Sequence, residues 1–262
     1  MAADEQTSID RRNREFWDEL CGSGLARHLG ITEITRESLE RFDRAYMDMY
    51  PYLARYLDEL PVEGRDMLEI GLGFGTVGQI LAARRARYHG ADIAAAPVAM
   101  MRDRLRWLGE PADESVVQAS ALELPWDGGS FDHVVSIGCL HHTGDLPGAV
   151  AEVHRVLRPG GTALVMLYNA HSLRRLVFGS GEQVDTRYDA NESGEPAPHT
   201  DHVSRRDVRR LFGAFAQVSV EAQNFDEVTW IFARHRWTIP RQRLLGNVGR
   251  VLGLDLYIRA RK

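Results

Sequence analysis

Apolar positions follow one period at the start of the chain and alternate between two periods after it. Through the first sixty or so residues they recur every three or four places, at Phe16 and Leu20 and then at Leu39, Phe42, Tyr46, Met49, Leu53 and Leu57, which is the spacing of buried helix faces. Pro51 breaks or kinks the second run, because its ring removes a helical N–H. After the turn residues Glu63-Gly64 the pattern changes. RDMLEIG has the length of a strand, TVGQILAARR returns to helical spacing, and RYHGADI is a second strand. APVAMMRDRLRWL follows as a helix, ESVVQAS as a third strand, SFDHVVSIG as a fourth, DLPGAVAEVHRVL as a helix and GTALVMLYN as a fifth strand. Such alternation predicts a parallel sheet with helices on both faces.

The regularity stops after the fifth strand. Residues 170–203, AHSLRRLVFGSGEQVDTRYDANESGEPAPHTDHV, are rich in Gly, Pro, Asn and acidic residues, and an insertion of that length is a lid, a binding loop or a disordered segment. Ser204 is placed to cap RRDVRRLFGAF, with Asp207 in the capping-box position. QVSVEAQNF and LDLYIRARK then alternate as strands, and the chain has no internal repeat and no heptad pattern.

Composition narrows the function classes. With 262 residues, 44% of them hydrophobic and 26% charged, the chain can bury one substantial core. A formal charge of -5 disfavours binding to nucleic acid through phosphate neutralisation, so the expected partner is a small molecule. Cys21 and Cys139 lie far apart without C-x-x-C spacing, so neither a disulfide framework nor a metal site is expected. The N-terminus is too polar for a signal peptide, and GTALVMLY falls far short of the roughly 20 apolar residues of a membrane helix. The expectation is a cytoplasmic protein with no membrane partner, with monomer and homo-oligomer both open.

The most informative stretch is LEIGLGFGTVG, residues 68–78. Gly73, Gly75 and Gly78 spell G-x-G-x-x-G, the form used for dinucleotides. Glu69, Gly71, Gly73 and Gly75 spell an acidic residue followed by G-x-G-x-G, the form used for S-adenosylmethionine. Either way, a glycine-rich turn lets the backbone approach a ligand, and the following helix offers free N–H groups. Asp92 ends the second strand about 20 residues on, where a carboxylate can take a ribose diol in both classes.

The run from Arg65 to Asn169 resembles the class I S-adenosylmethionine-dependent methyltransferases. LEIGLGFG is similar to their first motif and GADI to their acidic strand end. ALELPWDGGSFDHVVSIGCLHHT resembles the segment that passes the adenine, and HRVLRPGGTALVML the helix, Pro-Gly-Gly turn and fifth strand. The resemblance implies an α/β fold: a Rossmann-like doubly wound, mostly parallel sheet, with an N-terminal helical cap over 1–62 and a cofactor-binding domain over 63–262 that carries the 170–203 insertion. It implies S-adenosylmethionine as cofactor. Glu69, Gly71 and Gly73 would line its methionine and ribose, Asp92 would hold the ribose diol and Ile93 would pack on adenine. Ser120, Ala121 and Leu122 would flank the adenine edge, although the family often has Asp where this chain has Ser120. Ile137 and Gly138 would pass the methionine moiety.

Methyl transfer needs a nucleophile held in line behind the methyl group and a route for its proton. His141 and His142 follow the fourth strand at its carboxyl end, where open α/β sheets bind ligands, and histidine suits proton transfer near neutrality. LHH distantly resembles a segment of methyltransferase-like cyclopropane synthases, and this implies that His141 faces the reacting centre and His142 packs the loop. Tyr168, at the end of the fifth strand, is the next candidate, followed by His171. Trp17, Arg41, Tyr46 and Tyr50 belong to the cap, and Arg205, Arg206, Arg209 and Arg210 read first as a solvated helix face. The chain lacks an Asn-Pro-Pro-Tyr motif. Its overall resemblance is to bacterial small-molecule methyltransferases of secondary or quinone-type metabolism, with oxygen, carbon and nitrogen acceptors all open. A cofactor-binding protein that performs another reaction, such as cyclisation, and an NAD-dependent oxidoreductase are the alternatives.

Overall fold

A computed structural model of the chain describes residues 3–19, 24–178, 196–225, 228–232, 235–239, 241–245 and 247–262. Cys21 and residues 179–195, half of the expected insertion, lie outside the described residues. The N-terminal periodicity forms four helices, α1 (Ala3–Asp18), α2 (Gly24–His28), α3 (Arg36–Met49) and α4 (Leu53–Asp58). Thr35 caps α3 by accepting the Ser38 N–H, while the Ser38 hydroxyl accepts the N–H of Thr35. Tyr50, just before Pro51, is the C-cap of α3, its N–H donating to the Tyr46 carbonyl.

The alternating part forms β1 (Asp66–Ile70), α5 (Thr76–Ala83), β2 (Arg87–Asp92), α6 (Ala95–Leu108), β3 (Val116–Gln118), β4 (Phe131–Ile137), α7 (Leu146–Val156) and β5 (Leu157–Asn169). Beyond it come α8 (Leu173–Phe178), β6 (His202–Val203), α9 (Arg205–Leu211) and β7 (Gln217–Gln223). Then follow β8 (Val228–Phe232), β9 (His235–Ile239), α10 (Arg241–Leu244), α11 (Asn247–Leu252) and β10 (Asp255–Arg261). The β8–β9 hairpin was not among the expected elements, because Ala233-Arg234 between its strands lacks the Gly or Asn that marks a tight hairpin turn.

The main sheet runs β3-β2-β1-β4-β5-β10-β7, with β6 paired to the end of β5. Strands β1 to β5 are parallel, and β10 is antiparallel to both of its neighbours. This is the doubly wound, mostly parallel architecture. Strand order reverses between β1 and β4, so a crevice opens there at the carboxyl edge. On one face Ile70, Val134 and Val165 pack against Val150 and Val153 of α7; on the other Met67, Val135 and Leu164 pack with Leu81 of α5 and Met101 of α6. Leu53, Tyr56 and Leu57 of α4 join this second core, and Tyr56 stacks on Tyr257 of β10 at 4.5 Å. The end of the helical cap is thus continuous with the core of the sheet.

Candidate functional site

The site begins where β1 turns into α5. Gly71, Gly73 and Gly75 take φ of +81°, +51° and +77°, a region that side chains rarely adopt. A Cβ on Gly71 would stand 2.3 Å from the Cβ of Cys139, whereas nothing lies within 4 Å of one on Gly73. Gly78 does a different job. A Cβ there would stand 2.5 Å from Glu69 Oε2 and from the Tyr88 hydroxyl, so this glycine makes room beneath the loop for a carboxylate. Glu69, Gly71 and Gly73 line the cavity at the crevice, and Gly75 and Gly78 do not.

Asp92 closes the other wall. Its Oδ2 accepts the N–H of Leu72 at 2.8 Å and its Oδ1 that of Ala94 at 3.0 Å, which ties the end of β2 to the glycine turn. Burial raises its carboxyl to about 6, against the pull of these amides and those of Gly73 and Ile93. Glu69 is more deeply buried; its Oε2 accepts the Tyr88 O–H at 2.5 Å, and burial raises its carboxyl to about 8 despite that bond. Beneath the loop Arg104 is paired with Asp43 at 2.8 Å and donates to the Phe74 carbonyl at 2.7 Å, so its charge is spent on holding the turn.

The structure brings most of the expected residues to this cavity. Glu69, Gly71, Gly73, Asp92 and Ile93 line it, as do Ser120, Ala121, Ile137, Gly138 and Tyr168. Leu122 does not; it packs partly buried against the hydrophobic core. Ser120 accepts the N–H of Leu122 at 3.2 Å, so its hydroxyl shapes the turn. His171 and Arg41 are not among the lining residues, and Arg41 instead donates to the Leu29 carbonyl at 2.8 Å.

The histidine pair is placed the other way round from the expectation. Gly138 takes φ +78°, and Leu140–His142 then form a single 3-10 turn, so strand alternation does not carry into the pair. His141 is fully buried with its ring 4.0 Å from that of Tyr168, and it does not line the cavity. Among the described residues no hydrogen bond of normal geometry reaches its ring nitrogens. Burial holds it well below the usual histidine range, with only a weak opposing pull from the Met166 carbonyl. His142 does line the cavity. Its Nδ1 lies 2.7 Å from the His199 carbonyl, which can only accept, so Nδ1 carries the proton and Nε2 keeps its lone pair. Burial lowers His142 to about 4, and it is therefore neutral at neutral pH.

Helices α1 and α3 complete the walls. Asn13 donates to the His142 carbonyl at 2.7 Å, Gln6 donates to the Thr143 carbonyl at 2.8 Å, and Asp18 accepts the N–H of Ala96 at 2.7 Å, so α1 is fastened at both ends of the crevice. It presents Asp10, Asn13 and Trp17, and α3 presents Phe42, Tyr46, Met49 and Tyr50. Met166 and Tyr257 come from the adjacent strands β5 and β10. Asn13, Met166 and Tyr257 carried no sequence signal, since each sits in an ordinary amphipathic element. Among the described residues no lining side chain is a Lys or Arg, while Asp10, Glu69 and Asp92 are acidic. No cluster of three or more His, Cys, Asp or Glu is placed to hold a metal, and no helix is long and apolar enough to cross a membrane, again among the described residues.

Comparison with known proteins fits this geometry. Residues 68–165 match the family described as "Methyltransferase domain". These residues belong to the class I S-adenosylmethionine-dependent methyltransferases. The chain is 31% identical over 144 residues to a malonyl-acyl-carrier-protein O-methyltransferase of Halorhodospira halophila, covering 53% of this chain and 48% of that one. It is 30% identical over 125 residues to a ubiquinone biosynthesis O-methyltransferase of Pseudomonas aeruginosa, covering 47% and 53%. The chain thus spans about half the length of these curated relatives. In fold it is similar to the magnesium protoporphyrin IX methyltransferase of Synechocystis PCC 6803, solved with bound SAH, at TM-score 0.57 and 12% identity over 97% of this chain and 99% of that one.

Proposed function

We propose that this protein transfers a methyl group from S-adenosylmethionine to a hydroxyl oxygen of a small molecule, with His142 taking the proton. The observation that carries this reading is the bond from His142 Nδ1 to the His199 carbonyl, which leaves Nε2 as a neutral base on the same cavity as Asp92. Bound there, S-adenosylmethionine supplies a methyl group made electron-poor by its sulfonium. The residues present fit it. Gly73 leaves open space over the turn, Asp92 can take the ribose diol and Ile93 can cover one adenine face, with Ser120 and Ala121 at its edge. Glu69, Gly71, Ile137 and Gly138 would surround the methionine end. A cavity with acidic groups and no described Lys or Arg suits a cofactor with an ammonium and a sulfonium, and it opposes the doubly charged pyrophosphate of a dinucleotide.

His142 would accept the acceptor's O–H hydrogen bond at Nε2 and take its proton as the new O–C bond forms, while the walls keep water out. Tyr168, beside the histidine pair, would position the acceptor. Calorimetry with S-adenosylhomocysteine and with NADH tests the cofactor, and mass spectrometry of metabolite panels incubated with methyl-labelled donor tests the reaction. Saturable binding of S-adenosylhomocysteine and a labelled methyl ether are expected. Binding of NADH alone would overturn the cofactor reading, and binding without any labelled product would favour a reaction other than methyl transfer.

A further inference from the structure

We infer that the acceptor is an electrically neutral hydroxy compound with a ring-containing apolar skeleton, and that the chamber around it rejects carboxylates and phosphates. This rests on the methyltransferase reading above. The walls of the cavity include Trp17, Tyr46, Tyr50, Met166, Tyr168 and Tyr257. Tyr46 and Tyr50 meet at 4.9 Å, and the rings of Trp17 and Tyr168 lie 5.0 Å and 6.0 Å from that of His142, so aromatic rings stand beside the base. Aromatic and thioether groups of this kind take up flat apolar bodies through stacking and S–π contact.

The decisive feature is charge. A carboxylate or phosphate buried against these walls would need a cationic partner to offset its lost hydration. Among the described residues, several arginines of the helices and strands around the cavity are already committed. Arg104 is paired with Asp43, Arg41 donates to the Leu29 carbonyl, Arg55 is paired with Glu221, and Arg241 donates to Asn224 and to the Phe225 carbonyl. The charge of Arg175 acts on His202, and Arg175 does not line the cavity.

The test is equilibrium binding to the full chain saturated with S-adenosylhomocysteine, at a pH where the acids are ionised. The probes are two matched pairs, methyl 3,4-dihydroxybenzoate with its free acid and a methyl hydroxynaphthoate with its free acid. In at least one pair the ester is expected to bind roughly 30-fold or more tightly than the acid, as an unpaired buried charge would dictate. Met49→Arg or Tyr50→Arg, at half-buried wall positions, should narrow that gap by recruiting the acid. Acids bound as tightly as their esters, no binding by either ester, or acid binding that is lost in Arg175→Ala would each overturn the inference. Because binding is read without turnover, the two readings can fail separately. A chain that binds an ester but transfers no methyl group would sink only the reaction, and one that methylates the hydroxyl only of compounds carrying a free carboxylate would sink only the neutral chamber.

Discussion

The two halves of the cavity are built by different means. The half between β1 and β2 is mostly backbone: three glycines at positive φ, amides of Leu72 and Ala94 held by Asp92, and a turn shaped by Ser120. The rest of the lining is mostly side chains, gathered from α1, α3, the turn at His142, β5 and β10. A backbone cradle demands particular residue types at fixed spacing, because only glycine accepts the turn and only a short carboxylate reaches those amides. A side-chain chamber demands only size and polarity, and many residues supply those.

The strongest way to break this contrast is at the histidine pair. His142→Ala should lower turnover by roughly 10²–10⁴-fold, the usual worth of a positioned base, while S-adenosylhomocysteine affinity stays unchanged. His141→Ala should cost roughly 2–4 kcal/mol of stability by emptying a fully buried ring site, with the turnover of the remaining folded protein much closer to normal. Kinetics with denaturant titrations on both variants decides this. Turnover lost at His141 and spared at His142 would restore the arrangement that the LHH resemblance implied. pH sharpens the test. His142 titrates near 6.5 when unfolded but at about 4 when buried, so the unfolded chain binds the proton first as pH falls. Its contribution to stability is present above about 6.5 and is lost as pH falls towards 4, and the acid limb of kcat/KM should lie near 4 rather than 6.5. His202 is lowered in the same sense, and Glu69, raised to about 8, acts oppositely, contributing below 4.5 and losing that contribution as pH rises through 8. The difference between wild type and His142→Gln therefore isolates this one group.

Asp92→Ala probes the backbone half. It should weaken S-adenosylhomocysteine binding by about 1.5–3 kcal/mol, through lost charge-assisted bonds to the ribose and through release of the turn that the carboxylate holds. Asp92→Asn should recover part of the loss, since its amide oxygen can still accept one N–H. Calorimetry on both variants reads the difference, and an unchanged Kd in folded Asp92→Ala would remove this residue from the site. This half was legible from the sequence because its parts are contiguous: Glu69, Gly71, Gly73 and Asp92 fall within two strand ends. The acceptor half was legible only in fragments. Tyr46, Tyr50 and Trp17 could be assigned to a cap but not aimed, because helical periodicity shows which face is apolar and not what lies opposite. That His142 and not His141 lines the cavity follows the positive φ at Gly138 and the 3-10 turn after it, and strand alternation does not report where the chain rotates after a strand. Tyr257 lies in the last strand, and its place beside Met166 follows from an antiparallel pairing across ninety residues of chain that local sequence does not encode.

Ser120 carries the smallest expected effect and tests how far the backbone half tolerates departure from its family. Its hydroxyl accepts the Leu122 N–H at 3.2 Å, a long bond that a nearby water could replace, and Ser120 lines the cavity where an adenine edge would pass. Removing the hydroxyl therefore loosens a turn and deletes at most one neutral hydrogen bond to the ligand. Ser120→Ala should weaken S-adenosylhomocysteine binding by no more than about 1 kcal/mol. Ser120→Asp keeps the bond to the Leu122 N–H and adds a charged acceptor for an adenine amine, so it should tighten binding by a similar amount. If both substitutions leave the Kd alone, the adenine edge is read by backbone carbonyls, and the contrast between the halves becomes sharper. A loss from Ser120→Ala as large as that from Asp92→Ala would instead show that a neutral side chain carries recognition on the side assigned to the backbone.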